Sequence, residues 1–136
     1  MRKLRQLFYL SRASAEVTDQ DLRRILSVAQ RNNRQKDITG CLLYSGKHFA
    51  QVLEGNAAAL EDVLASIRKD ARHHSLVLAK DHEVAARKFP DWSMALLYKL
   101  DMADRVEGLL AGEKVPEDVV AALFNDMSPD SVMGSL

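Results

Sequence analysis

Hydrophobic and polar residues alternate with two different periods along the first hundred residues. Short runs of aliphatic and aromatic side chains are typical of buried β-strands, and five such runs occur at 4–11, 38–44, 47–53, 75–79 and 93–100. Between the first and second runs, and again between the third and fourth, apolar residues recur at the three- and four-residue spacing of an amphipathic helix. The order of these segments predicts a β-α-β-β-α-β-β chain.

Two helices are therefore predicted among the strands. Thr18 is a suitable N-cap for the first helix, which is expected to end near Asn33, and Asn56 is suitable for the second, which is expected to end by Asp70. Their apolar positions share one side of each helix: Leu22, Ile25, Leu26 and Ala29 in the first, and Leu60, Val63, Leu64 and Ile67 in the second. We predict an α+β, ferredoxin-like fold with two helices on one face of a five-stranded mixed sheet.

The sequence after residue 100 has the pattern of two short helices. Gly112 closes the first apolar stripe, and Pro116 lies at the first position of the second helix. The stripes consist of Met102, Val106, Leu109 and Leu110, followed by Val119, Val120, Leu123 and Phe124. We expect residues 1–100 to form the core domain and residues 101–136 a helical extension. Its stripes are expected to cover either the second face of the sheet or a partner subunit.

Composition and charge narrow the class of protein. The 136 residues suit one domain with a short appendage, and 19 basic against 19 acidic residues give no formal net charge. This balance argues against a dedicated nucleic-acid binder or a polybasic membrane-surface protein. No apolar run approaches the ~20 residues of a membrane span, and residues 7–10 are too few for the apolar core of a signal peptide. We expect a cytoplasmic protein that binds neither nucleic acid nor membranes.

The residue types used in metal binding and catalysis give only weak signals. Cys41 is the single cysteine, which excludes an internal disulfide, and we interpret it as a buried, inert thiol. His73 and His74 are adjacent and would point apart on a helix, so we expect no metal site. His48 and His82 are expected on the surface. The sequence has no Ser/His/Asp spacing, phosphate-binding glycine loop or paired carboxylates typical of catalysis, so we do not expect an enzyme.

Three polar features lie where apolar side chains are expected, and such exceptions often mark function. Gln51 lies on the face of the third strand that should pack under the helices, and Asn32 and Asn33 fall on the apolar stripe of the first helix. Tyr9 places a phenol in the first strand. Taken singly, each has a structural explanation: a glutamine that bonds backbone or water, a frayed helix end, and a core tyrosine with its hydroxyl at the rim.

The predicted topology brings these features together. The first and third strands are adjacent and central in a ferredoxin-like sheet, so a phenol and an amide on one face can meet. Two helices above that face, one ending in an amide pair, would leave a slot for a flat heterocycle with imide-like donors and acceptors. Asn and Gln can each donate and accept, which suits a flavin ring.

Six segments of the chain also form a recognisable set of motifs. In order they are Tyr9-Leu10-Ser11, Asn32-Asn33, Ile38-Thr39-Gly40, Phe49-Ala50-Gln51-Val52-Leu53-Glu54-Gly55, Asp70-Ala71-Arg72-His73 and Phe89-Pro90-Asp91-Trp92-Ser93-Met94. Their order and spacing over about residues 4–100 resemble those of BLUF domains, a family of flavin-binding blue-light sensors. The two parts of the chain would then be the sensor core and its C-terminal extension.

The resemblance implies that FAD is bound noncovalently between the two helices. The residues that match cofactor-binding positions are Tyr9, Ile25, Asn32, Asn33, Phe49, Gln51, Leu53, Asp70, Arg72 and His73. Those that match photoactive positions are Tyr9, Gln51, Trp92 and Met94. Ser66 is a departure, because some members carry a basic residue there, which leaves the contact with the dinucleotide phosphates unassigned.

The resemblance also implies a mechanism and an output. An electron and then a proton would leave Tyr9 with Gln51 as the relay, and the altered hydrogen bonds would be signalled through the fifth strand to the C-terminal helices. We expect the signal to be read by a separate downstream protein that acts in trans. We also expect the chain to form a homo-oligomer. Two alternatives are a small ferredoxin-like regulator or enzyme that uses the same slot for another heterocycle, and a purely structural assembly module.

Overall fold

A computed structural model describes residues 3–14, 17–91, 93–98, 102–111 and 117–127. Its elements, in chain order, are β1 (Leu4–Ala13), α1 (Asp19–Gln35), β2 (Thr39–Tyr44), β3 (His48–Asn56), α2 (Ala57–Lys69), β4 (His73–Glu83), β5 (Ala95–Tyr98), α3 (Ala103–Ala111) and α4 (Glu117–Asp126). The predicted α+β fold and element order are confirmed.

The strands form one mixed sheet in the order β4-β1-β3-β2-β5. The pairs β1–β3, β1–β4 and β2–β3 are antiparallel, whereas β2 and β5 are parallel. In the β1–β3 ladder, Tyr9 lies directly opposite Gln51. The predicted central position of these two strands therefore places the phenol and the amide side by side.

Side-chain caps fix the starts of both helices that lie over the sheet. The Thr18 hydroxyl accepts a hydrogen bond from the Asp21 amide at 3.1 Å, and the Asp21 carboxylate accepts one from the Thr18 amide at 3.1 Å. This reciprocal capping box lowers the pKa of Asp21. Asn56 caps α2 by accepting from the Ala59 amide at 3.0 Å. Both predicted N-caps are confirmed.

Several element boundaries differ from the sequence predictions: β1 extends to Ala13 and β3 to Asn56, and three other elements differ in ways that concern the site. α1 continues to Gln35, two residues beyond the expected end. β4 spans His73–Glu83 rather than 75–79, because it pairs with β1 along most of its length. The two adjacent histidines therefore begin a strand and do not lie on a helix. β5 begins at Ala95 rather than at Ser93, because the carbonyl groups of the two preceding residues bind side chains of α1.

The two faces of the sheet support separate hydrophobic cores. On the face covered by α1 and α2, here called the cavity face, Leu7 and Leu53 are buried with apolar residues of both helices. On the opposite rear face, Phe8 and Val52 are buried against α3 and α4. Buried residues of the C-terminal segment complete the rear core: Met102, Val106, Leu109, Leu123 and Met127. The expectation that the C-terminal stripes cover the second face is thus confirmed, although the side chains of Val119 and Val120 lie outside the described residues.

A polar cluster joins the rear face to α3. His48 is buried, and its Nε2 lies 2.5 Å from a carboxylate oxygen of Glu107, while its Nδ1 lies 3.1 Å from the Ser45 hydroxyl. Arg12 donates to both Glu107 oxygens, at 2.9 and 3.2 Å. The surface position predicted for His48 is therefore wrong, because a partner 59 residues later in the chain satisfies the buried imidazole. The exposed position predicted for His82 is confirmed.

A second polar cluster closes the far end of the rear face. Glu54 is completely buried, and its carboxyl oxygens accept hydrogen bonds from Gln6 Nε2 at 2.9 Å and from the amides of Lys88 and Phe89 at 2.7 Å each. These bonds hold the segment before β5 against β3. Buried Cys41 also lies in the rear core, where burial raises the pKa of its thiol to about 12.

Two kinds of feature that the sequence analysis considered can also be examined in the described part of the chain. No helix there is long and apolar enough to cross a membrane. Among the same residues, no group of three histidine, cysteine, aspartate or glutamate side chains is arranged to hold a metal ion.

Candidate functional site

A cavity of about 200 Å³ lies between α1, α2 and the cavity face of the sheet. All of the residues that match cofactor-binding positions line it: Tyr9, Ile25, Asn32, Asn33, Phe49, Gln51, Leu53, Asp70, Arg72 and His73. These side chains come from a stretch of 65 sequence positions, from Tyr9 to His73, and they surround a single space.

The cavity has further lining residues that the motifs did not identify. Ser66 was considered only as a departure from the family pattern, and the others are Val28, Ala29, Lys36, Leu42, Val63 and Ile67. Some of them belong to the predicted apolar stripes. They were not identified as cavity residues, because periodicity cannot distinguish a side chain covered by protein from one covered by a ligand. Val28 lies outside the predicted apolar stripe, and the structure shows its side chain 42% exposed on α1.

Tyr9 and Gln51 form the polar centre of the cavity. Both are buried, and the Tyr9 hydroxyl donates a hydrogen bond of 2.5 Å to Gln51 Oε1. Burial raises the pKa of Tyr9 well above its ordinary value, and the negative charge of Asp70 raises it further. The phenol therefore keeps its proton at neutral pH and directs it to the carboxamide.

Met94 contacts the other end of the same carboxamide. Gln51 Nε2 donates to the Met94 sulfur at 3.4 Å, so the sulfur and the phenol lie at opposite ends of the Gln51 amide. Met94 is fully buried beside the cavity but is not one of the lining residues given above. Trp92, the other residue predicted to rearrange around Gln51, lies outside the described residues.

The two asparagines of α1 differ in environment. Asn33 is buried, and its Nδ2 donates to the carbonyl oxygen of Ser93 at 2.9 Å. Asn32 is exposed at the rim of the cavity. The interpretation of both as a frayed helix end is excluded, because α1 extends beyond them to Gln35.

Charged and aromatic residues complete the rim near the end of α2. The Arg72 guanidinium donates to both Asp70 carboxylate oxygens at 2.5–3.0 Å, which lowers the pKa of Asp70. The His73 imidazole joins β1 to α2, with Nδ1 2.7 Å from the Ser11 hydroxyl and Nε2 2.6 Å from the Ile67 carbonyl oxygen. Because a carbonyl can only accept, Nε2 carries the proton in this contact.

The residues present fit a flavin ring. Aliphatic side chains from α1, α2 and β3 can contact both sides of a flat heterocycle. The carboxamides of Asn32, Asn33 and Gln51 offer the donors and acceptors that its imide edge requires.

Comparison with known proteins decides between the hypotheses raised by the sequence. The sequence model of the BLUF family, described as sensors of blue light using FAD, matches residues 4–95. The chain belongs to the BLUF family. The resemblance inferred from the motifs is confirmed, and with it a flavin-binding domain that senses blue light.

Two curated BLUF relatives are much longer than this chain. The blue light- and temperature-regulated antirepressor BluF of Escherichia coli strain K12 is 32% identical over 122 residues, which cover 90% of this chain but 27% of BluF. The photoactivated adenylate cyclase subunit beta of Euglena longa is 36% identical over 92 residues, covering 67% of this chain and 11% of that protein. The chain thus spans about a quarter and a tenth of these relatives.

Two solved BLUF structures match the chain over almost all of their length. The dark-state structure of BlrB, a BLUF protein, superimposes with a TM-score of 0.75 at 31% identity and covers 92% of this chain and 95% of BlrB. The ground state of BlsA superimposes with a TM-score of 0.79 at 25% identity, covering 96% of this chain and 91% of BlsA. The five-stranded fold and its helices are therefore those of the family.

Proposed function

We propose that this chain is a blue-light photoreceptor that holds FAD noncovalently between α1 and α2 and signals by rearranging hydrogen bonds, without catalysis of its own. The observation that carries the proposal is the 2.5 Å hydrogen bond from Tyr9 to Gln51 inside the cavity. A phenol able to give up an electron, with its proton already directed to an amide oxygen, is the arrangement that such a photoreaction needs.

The cavity suggests how the ligand would be held. Asn33 and Gln51 would bind the imide edge of the ring, and Ile25 and Leu53 would pack against its faces. The family description supports FAD, whereas one structural relative, BlrP1 of Klebsiella pneumoniae, was solved with FMN and cyclic diGMP. FAD rather than FMN is therefore part of the proposal.

Tyr9 and Gln51 would carry out the proton and electron steps. A bound flavin supplies, when it absorbs blue light, an oxidant that can accept one electron from a phenol. Tyr9 loses this electron and then its hydroxyl proton, because oxidation makes a phenol strongly acidic. The proton passes along the existing hydrogen bond to Gln51 Oε1. Return of the electron and of one Gln51 proton to Tyr9 would leave no net oxidation. Loss of an Nε2 proton would leave Gln51 as its imidic tautomer, whereas loss of the Oε1 proton after rotation would leave a rotated amide.

The rearranged Gln51 would transmit the change through Met94. In the present arrangement Gln51 Nε2 donates to the Met94 sulfur. Rotation would place the amide oxygen, which has no proton, against the sulfur, so Met94 would have to move. Met94 directly precedes β5, which leads towards α3 on the rear face. We propose that this movement biases the packing of α3 and α4.

The output is proposed from the relatives and from the two-part division of the chain. The relatives named above include an antirepressor and an adenylate cyclase subunit. We propose that residues 1–100 act as the sensor core and that residues 101–136 carry the change to a separate cytoplasmic protein or to a second copy of the chain.

Absorption spectroscopy of the purified protein tests the photoreceptor proposal. After loading with FAD, or with FMN in a parallel sample, the wild-type protein should show a small reversible red shift under blue light. Tyr9→Phe should bind the flavin but lose the shift, because the phenolic proton is gone. Tyr44→Phe is the matched control. The Tyr44 hydroxyl donates to the Gly46 carbonyl oxygen at 2.9 Å, and Tyr44 is not one of the residues that line the cavity. A normal shift in Tyr9→Phe would refute the electron-transfer step, and a protein that takes up neither flavin would favour another ligand.

A further inference from the structure

Two amide side chains of α1 hold the backbone that leads into β5. Gln30 Nε2 donates to the carbonyl oxygen of Met94 at 3.0 Å, and Asn33 Nδ2 donates to that of Ser93 at 2.9 Å. The two side chains are three positions apart and therefore lie on the same side of the helix. They bind successive carbonyl groups, so this segment is attached to α1 before it joins β2 in the sheet.

The Gln30 contact continues a chain of hydrogen bonds that begins at the photoactive pair. Tyr9 donates to Gln51 Oε1 at 2.5 Å, Gln51 Nε2 donates to the Met94 sulfur at 3.4 Å, and Gln30 binds the Met94 backbone. A thioether sulfur is only a weak acceptor, so its contact with Gln51 depends on how the Met94 backbone is held.

We infer that Gln30 is a positioning residue for the photoreaction: by binding the Met94 carbonyl it holds the sulfur against Gln51 and favours the present orientation of the carboxamide. With Met94 in place, a rotated Gln51 would present an oxygen to the sulfur and lose a hydrogen bond. Return of Gln51 to its starting orientation is correspondingly favoured. The inference rests on the proposed function, because it concerns the recovery step of that photocycle.

Gln30 can be separated from ligand binding, whereas Asn33 cannot. Asn33 lines the cavity, so its replacement would change flavin contacts and Ser93 together. Gln30 is half-buried and is not among the lining residues. Its contribution can therefore be measured at constant flavin occupancy.

The test measures dark recovery of the flavin-loaded protein after a blue-light pulse. Gln30→Leu should slow recovery by about threefold to tenfold, the size expected for one hydrogen bond, with the flavin Kd changed less than about twofold. Gln30→Glu, whose carboxylate cannot donate to a carbonyl, should slow it similarly and guards against a folding defect of the leucine variant. Gln35→Leu, an exposed glutamine on the same helix, is the matched control and should recover at the wild-type rate.

A double-mutant cycle with Met94→Leu separates positioning from a general structural effect. Leucine keeps the backbone carbonyl but removes the sulfur, so Gln30→Leu should add little slowing in that background. The inference is overturned if either Gln30 variant recovers at the wild-type rate, or if Gln30→Leu slows Met94→Leu by the factor seen in wild type. Absence of any reversible shift in the wild-type protein would instead refute the proposed function.

Discussion

Buried polar side chains occur on both faces of the sheet, but their partners differ. On the rear face, which α3 and α4 cover, the Glu54 carboxyl group accepts three hydrogen bonds from protein groups. On the cavity face, Gln51 bonds Tyr9 and Met94 but also lines an open cavity. Burial of a polar residue therefore does not by itself indicate a ligand site. The indication comes from space beside the polar group that the protein does not fill.

This difference predicts opposite effects for one substitution made on the two faces. Gln51→Leu should abolish the light-induced shift and leave the free energy of unfolding nearly unchanged, because the amide borders a cavity. Gln6→Leu should keep the shift but cost about 1–3 kcal/mol of stability, because Glu54 loses a buried donor. Light-minus-dark spectra and urea unfolding of both variants check the two effects. A photoactive Gln51→Leu protein would contradict the proposed role of the amide.

The same comparison shows what could be predicted from sequence. The alternation of side chains along β1 and β3 is a local property, so it separated Tyr9 from Phe8 and Gln51 from Val52 correctly. That the two residues share one face was a hypothesis from the predicted strand pairing, and their register confirms it. His48 was misplaced because its partner Glu107 comes from a helix whose docking the local pattern does not determine. Gln30 was missed for a similar reason, since its bond to the Met94 carbonyl depends on how α1 lies over the sheet.

The cavity itself was predictable only in part. Periodicity identified Val63 and Ile67 as inward-facing, but could not show that they line a space rather than contact other side chains. The amide and phenol positions revealed the site because polar residues on an apolar face need partners. The FAD assignment depended on the family resemblance, since several heterocycles have similar donors and acceptors.

After loss of the light response, the largest effect is expected at Glu54, at the far end of the rear face. Glu54→Gln replaces one accepting oxygen with an NH₂ group that must face either the Phe89 amide, or both Gln6 Nε2 and the Lys88 amide. Since the site is fully buried, we expect a loss of about 2–4 kcal/mol in the free energy of unfolding. The flavin shift should survive under conditions in which the variant is folded. If Glu54→Gln has the same free energy of unfolding as wild type, the hydrogen bonds of Glu54 do not stabilise the rear face, and the contrast with the cavity face is wrong.

The smallest effect is expected at the edge of the rear face, where Glu107 is 46% exposed. Its hydrogen bonds with Arg12 and then His48 lower the pKa of Glu107 to about 2. A carboxyl group whose pKa is lowered on folding stabilises the protein above its ordinary pKa, near 4.5. That stabilisation is lost as the pH falls towards the folded value.

Glu107→Gln should therefore lower the urea midpoint modestly at neutral pH, and the difference from wild type should shrink as the pH falls below about 4. Glu61→Gln, an exposed residue of α2, is the matched control and should show no such convergence. Because Glu107 joins α3 to the strands that carry Tyr9 and Gln51, the measurement also reports how firmly the proposed output helix is held to the sensor. A difference between Glu107→Gln and wild type that stays constant with pH would show that the Arg12–Glu107–His48 cluster does not fasten α3 through its charge.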